Sequence, residues 1–215
     1  MSDQQLFREV DEEVRQDRYQ QLWKTYGTYA VIAAVVIVGA TIAGVLWRDA
    51  QQSARDADSA RFLDAVVQES VQSDSALLQL RELAQDGTPA YRFLAQLREA
   101  RLLATQGDKA QALAVFDSIA ADSDLRGTYR DLARLLAVAN GLDVLSQSEV
   151  EARIGPLNTD GHPFRVTARE FLAVAAIQAG ERERAAELLR ANQSDSSAPV
   201  ASRARATELL TAIGL

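Results

Sequence analysis

Residues 91–117, YRFLAQLREARLLATQGDKAQALAVFD, and residues 164–190, FRVTAREFLAVAAIQAGERERAAELLR, align without a gap. An aromatic-Arg pair opens each segment (Tyr91-Arg92 and Phe164-Arg165). Ala95 then matches Ala168, Ala100 matches Ala173, Gly107 matches Gly180, Asp108 matches Glu181, Ala112 matches Ala185 and Phe116 matches Leu189. Each segment reads as a helical hairpin: a first helix, a Gly free to take a left-handed conformation at the turn, an acidic residue near the next amino terminus, and a second helix. Small side chains where two helices face each other let them close, and a bulky one fills the space against the next hairpin. The expected packing set is Ala100, Leu103, Gly107, Ala112 and Phe116 in one copy, and Ala173, Ala176, Gly180, Ala185 and Leu189 in the other.

Small, Gly, then bulky is the order kept by the tetratricopeptide repeat. A third, poorer copy lies between the two. Tyr129-Arg130 repeats the aromatic-Arg pair, and Gly141 falls 34 residues after Gly107, the length of one such unit. Its second helix, 146–154, departs from the pattern, with Ser146 where Ala belongs and Val150 where a large residue would sit. The longer interval to Gly180 assigns about five extra residues to a loop at 155–163. A fourth unit over 57–85 lacks a turn Gly, and 199–215 reads as a final helix capping the array. The alternative is an irregular bundle in which Gly and Ala recur by frequency; the gap-free agreement favours repeats. With no alternating β-branched stretch of any length, the expected fold is all-α, one transmembrane helix followed by a tetratricopeptide-repeat-like α-solenoid.

The transmembrane part of that reading rests on residues 26–47, YGTYAVIAAVVIVGATIAGVLW, which no charge interrupts between Lys24 and Arg48. As a helix this stretch is roughly 30 Å long, the thickness of a bilayer's hydrocarbon. Trp23, Tyr26, Tyr29 and Trp47 stand at its ends, where amphipathic rings favour the headgroup layer. A cleaved signal would follow a shorter, basic leader, whereas this leader carries Asp3, Glu9, Asp11, Glu12, Glu13 and Asp17. A buried core helix is the third reading and needs partners on every side. Gly39, Ala40, Ala43 and Gly44 form small-xxx-small pairs, a candidate contact for another membrane helix or simply the usual composition of such spans. The expected division is a cytoplasmic amphipathic tail at 1–24, the span at 25–47, a juxtamembrane helix and linker at 48–70, and the hairpin domain with its capping helix at 71–215. In the tail, Leu6, Phe7, Val10, Val14, Leu22 and Trp23 recur at helical steps.

Composition narrows the function. From Arg48 onward there are 19 basic and 24 acidic side chains with no basic block, which argues against nucleic acid as a partner. There is no Cys, hence no thiolate site, disulfide framework or Cys nucleophile. The single histidine, His162, sits in the turn sequence Asp160-Gly161-His162-Pro163 and reads as a solvated loop residue. Neither a phosphate-binding nor a dinucleotide-binding glycine motif is present, and no base is placed for a Ser nucleophile. The expectation is no catalytic residue, no cofactor and no metal. Tyr91, Arg92, Tyr129, Arg130, Phe164 and Arg165 are the candidate partner contacts, with packing between hairpins as the alternative role. Lys and Arg near the span number four on the amino side and three beyond it (Arg48, Arg55, Arg61), which leaves orientation nearly undecided.

The run Phe7-Arg8-Glu9-Val10-Asp11-Glu12-Glu13-Val14-Arg15, then Leu22-Trp23-Lys24-Thr25-Tyr26-Gly27 and the span, resembles the bacterial ancillary SecYEG translocon subunit family. Gly161-His162-Pro163-Phe164-Arg165, Ala168-Arg169-Glu170 and Ala179-Gly180-Glu181 are similar to that family's last repeat, and 201–215 to its closing helix. The resemblance implies a single-pass bacterial inner-membrane protein with a cytoplasmic amino terminus and a periplasmic tetratricopeptide-like domain. It also implies the Sec translocon and a periplasmic membrane-anchored chaperone as partners, with emerging polypeptides as clients. Two other readings stay open: a tetratricopeptide scaffold for cell-envelope assembly or division, and a regulatory subunit of a membrane enzyme.

Overall fold

The computed structural model describes the backbone of residues 3–215 and, within it, all side chains except those of residues 3–22, 25 and 30. The amphipathic face read in the tail therefore lies, apart from Trp23, outside the described side chains. All regular structure among the described residues is helical, in two compact units, 1–56 and 57–215. Helix α1 is Asp3–Gln68. The others are α2, Ser73–Asp86, α3, Pro89–Thr105, α4, Lys109–Ala121, α5, Gly127–Gly141, α6, Gln147–Ile154, α7, Arg165–Gln178, α8, Arg182–Ser194, and α9, Val200–Ala212, with a 3-10 turn at Gly155–Leu157.

In the first unit the apolar stretch of α1 is long and apolar enough to cross a membrane, and none of it is buried. From Val31 to Trp47 the large apolar side chains are all more than half exposed, on every side of the helix. A helix in the core of a soluble fold would have buried one face. Thr41 donates its hydroxyl to the Ile37 carbonyl at 2.8 Å, so the one polar side chain in the middle of the run is satisfied inside the helix, as hydrocarbon demands. Around Gly39 and Gly44 there is open space where a side chain would stand.

In the second unit α2 to α9 form antiparallel hairpins whose core is a string of clusters. Ala65 of α1 packs with Ala76, Leu80 and Leu83 of α2 and Ala95 and Leu102 of α3. Ala100, Phe116, Ile119, Ala133 and Ala137 join α3, α4 and α5, and a third cluster runs from Leu135 to Leu210. Half of the buried apolar side chains among the described residues are Ala. That composition draws helix axes close, leaving a few large side chains such as Phe116 and Leu189 to fill the gaps.

Two turns follow one chemistry. Gly107 has φ 90° and donates to the Ala104 carbonyl, while Asp108 donates to that of Leu103 at 3.0 Å. Gly180 has φ 82° and donates to Ile177, while Glu181 donates to Ala176 at 2.8 Å. Both are Schellman endings, in which a left-handed residue lets the chain return to satisfy the last carbonyls.

The middle hairpin departs from the sequence expectation. α5 begins 38 residues after α3, and α6 begins 38 after α4, so the 34-residue interval to Gly141 does not mark the equivalent turn. Gly141 is the last residue of α5, not among the positive-φ glycines, and a Cβ there would lie 2.8 Å from Leu113 Cδ2. It serves close approach of α4, not reversal. In this register Ser146 takes the place of Asp108 as N-cap, and its hydroxyl accepts from the Glu149 N–H while the Glu149 carboxylate accepts from the Ser146 N–H at 2.8 Å. Val150 and Ile154, both fully buried, take the places of Ala112 and Phe116. The connection from α6 to α7, residues 155–164, is five residues longer than that from α4 to α5, residues 122–126, and α6 is shorter than α4 by the same five, so α7 again begins 38 residues after α5. α6 simply stops early at Gly155-Pro156, since Pro has no N–H to continue the ladder, and the chain leaves through the 3-10 turn.

Candidate docking surface

The packing positions lie where helices meet. Ala100, Leu103, Ala112, Phe116, Ala173, Ala176, Ala185 and Leu189 are all buried. Gly107 and Gly180 stand exposed at the two turns, and the Leu103 and Ala176 carbonyls accept the closing hydrogen bonds.

The three aromatic-Arg pairs occupy unlike surroundings. The Tyr91 ring, half-buried, is tilted against Phe62 of α1 with centroids 6.2 Å apart, and Arg92 is exposed. Tyr129 is tilted against Phe93 of α3 at 5.0 Å, and the Arg126 guanidinium sits 5.4 Å from its centroid. Both Tyr rings thus join one hairpin to the next while keeping an exposed edge. In the third pair Phe164 packs on the last core cluster and Arg165 is bound on its own domain. It donates to both oxygens of Asp195, at 2.9 and 3.1 Å, and Arg169 reaches the same carboxylate at 3.2 Å. Hydrogen bonds from the Ser197 hydroxyl, from Arg165 and from the Ser197 N–H hold the Asp195 carboxyl well below the usual range. Asp195 is thereby the clasp of the final hairpin, and sequence spacing carries no sign of it.

His162 is half-buried, not solvated. Its Nδ1 accepts from the Phe164 N–H at 3.2 Å, which leaves the proton on Nε2 to donate to Asp131 of α5 at 3.3 Å. An analogous clasp stands at the start of the domain, where Asp58 of α1 accepts from the Thr88 N–H at 2.6 Å and is thereby held ionised below its ordinary range. Among the described residues, no group of three or more His, Cys, Asp and Glu side chains is placed to hold a metal.

Two open concavities that share Leu94 lie among α1, α3, α4 and α5. One, of about 430 Å³, is lined by Pro89, Ala90, Phe93 and Leu94 of α3 with Asp124, Leu125 and Arg126 of the turn between α4 and α5 and Tyr129 of α5. The other, about 320 Å³, is lined by Phe62, Leu94, Leu97, Arg98, Arg101, Phe116, Leu136 and Asn140. Leu94, 40% exposed, belongs to both. Two of the six expected contact residues, Tyr91 and Tyr129, touch or adjoin this region, whereas Leu94, Arg101 and Arg126 were not singled out by sequence. The helical period placed Leu94 on a face next to Ala95, and only the neighbouring turn makes that face concave.

Successive antiparallel hairpins with partly apolar, open concavities between their first helices define a helical-repeat protein of the kind that works by holding other polypeptides. Residues 20–137, more than half of the chain, match the family described as tetratricopeptide repeat-like domain, and the chain belongs to that family. Domains of this kind are typically non-catalytic interaction modules, and no enzymatic family is indicated. No curated protein and no solved structure matches the chain.

Proposed function

We propose that this is a non-catalytic, membrane-anchored docking protein, an accessory subunit of a bacterial Sec translocon whose hairpin domain faces the periplasm. The observation that carries the reading is the union in one chain of an unburied, uncharged apolar helix and a tetratricopeptide-like array. Exposed on every side, that helix has no place in water, and lipid is the medium that satisfies it. The division into a tail at 1–24, a span at 25–47, a juxtamembrane segment at 48–70 and a docking domain at 71–215 follows. The translocon, the periplasmic chaperone partner and the orientation are supported by the resemblance of residues 7–27 and 161–181. Tethering raises the local concentration of the docking domain, so weak contacts with emerging polypeptides are occupied. Proteins carrying a carboxyl-terminal tag, treated with protease in spheroplasts, should lose the tag while the inner membrane stays sealed; full protection overturns the orientation. Photo-crosslinkers at Trp47 or Gly44 should capture channel components, and capture of cell-division or wall-assembly proteins instead would favour a scaffold role.

A further inference from the structure

We infer that His162 is a proton-driven switch at the seam between α5 and α7: a proton on its ring releases the start of α7 and tightens the grip on α5. The device lies outside both concavities and depends neither on the anchor nor on a docked partner. In the neutral ring the two nitrogens have opposite roles. Nδ1 accepts from the Phe164 N–H at 3.2 Å, and Nε2 faces an Asp131 carboxylate oxygen at 3.3 Å, across 31 residues of chain. Phe164 is the N-cap residue of α7, and its own side chain caps nothing, so the imidazole supplies an acceptor at that helix start. The two rings lie 6.0 Å apart, and Phe164 packs on the last core cluster.

A protonated imidazole carries two N–H groups and no acceptor. Its Nδ1–H and the Phe164 N–H would then face each other, so ring or chain must shift and that amide loses its partner. At Nε2 the opposite happens, because a neutral donor to Asp131 becomes one half of an ion pair. The His162 and Asp131 side chains are only 20% and 18% exposed, so water does not freely replace the lost bond. The charged neighbours come from three elements. On α5, Arg134 holds the other Asp131 oxygen at 2.7 Å. On the connection itself, Asp160 is fully exposed and lies 3.7 Å from Arg169 of α7. Arg165 of α7 donates to the His162 carbonyl at 3.3 Å, and both of these arginines hold Asp195. Between pH 5 and 8 imidazole is the kind of side chain that changes its charge, while Arg and Asp side chains ordinarily keep theirs.

His162 is the one histidine of the chain, so isotopic labelling of histidine nitrogen reports on it alone. With the full chain in detergent micelles, nitrogen NMR should show Nδ1 bare and Nε2 carrying the proton at pH 8, and both protonated at pH 5. Over the same range the protection factor of the Phe164 amide in hydrogen exchange should fall about tenfold, the worth of one hydrogen bond, while the α8 amides keep theirs. His162→Gln, which takes up no proton, should leave Phe164 protection level across the range. The inference is overturned by a proton on Nδ1 at pH 8, by a ring still neutral at pH 5, or by Phe164 protection that stays constant while the ring protonates. A His162→Gln chain whose Phe164 protection falls in step with the native chain overturns it equally. None of these outcomes bears on the docking reading, whose crosslinks at Trp47 are independent of this ring.

Discussion

The α3–α4 and α5–α6 hairpins perform the same reversal by different chemistry. Between α3 and α4 the chain turns over three residues, with Gly107 left-handed and Asp108 capping α4 through a hydrogen bond from the Gln111 N–H at 3.1 Å. Between α5 and α6 it turns over residues 142–146 without a left-handed residue and closes on the Ser146–Glu149 capping box. α5 has 15 residues against 17 in α3, and its turn is longer by the same two, so the second helices restart in register. The difference teaches that the array fixes where helices restart and which side chains meet, and leaves the chemistry of the turn free. Neighbour contacts decide stability in such arrays, so a turn need only deliver the next helix in register.

The largest test of that equivalence is at the bulky position. Phe116→Ala should cost about 3–5 kcal/mol and Ile154→Ala about 2–5 kcal/mol in urea denaturation, because both side chains are fully buried against the neighbouring hairpin. A cost near zero at Ile154 would return the middle hairpin to the other register.

Glycine separates the two hairpins next. Gly107→Ala should cost about 1–2 kcal/mol through its left-handed backbone, with Gly107→Asn milder, and no neighbouring substitution should relieve it. Gly141→Ala should cost about 1–3 kcal/mol by overpacking, and there a double-mutant cycle with Leu113→Val should show favourable coupling, because the clash is with the end of that side chain. Absence of coupling would mean that Gly141 is kept for its backbone.

This is also where the sequence misled. Gly107 and Gly180 were legible because the same Schellman chemistry repeats with the same flanking residues, so a gap-free alignment finds both. The 34-residue spacing assigns Gly141 to a turn because one residue type serves two physical ends, φ above zero and the absence of a Cβ, and spacing cannot tell them apart. The signal for the true register was present as Ser146-Gln147-Ser148-Glu149, the capping-box pattern, and the alignment passed over it. The Asp195 clasp on Arg165 and Arg169, and the concavities that share Leu94, were not legible, since they join residues some 25 to 35 apart whose meeting depends on how hairpins stack. Repeat packing is local and periodic; the surface it creates is neither.

Ser146→Ala should cost about 1 kcal/mol, the usual worth of an N-cap, and should fray α6 first in hydrogen exchange. The smallest effect expected is one of pH, at the middle hairpin. Hydrogen bonds from the Ser146 hydroxyl and backbone N–H lower the Glu149 carboxyl below its ordinary value of 4.5. A carboxyl whose folded value is depressed contributes stability that is present in full above the unfolded value and is lost as pH falls through the folded one. Protection of the α6 amides should therefore decline as pH drops below about 4.5, the ordinary Glu value, with Glu149→Gln removing that decline. The α8 amides, behind the Gly180 turn, supply the internal control. A Glu149→Gln protein whose α6 protection still falls with acid in step with the native chain would show that the box does not close this hairpin, and that the two turns differ only in length.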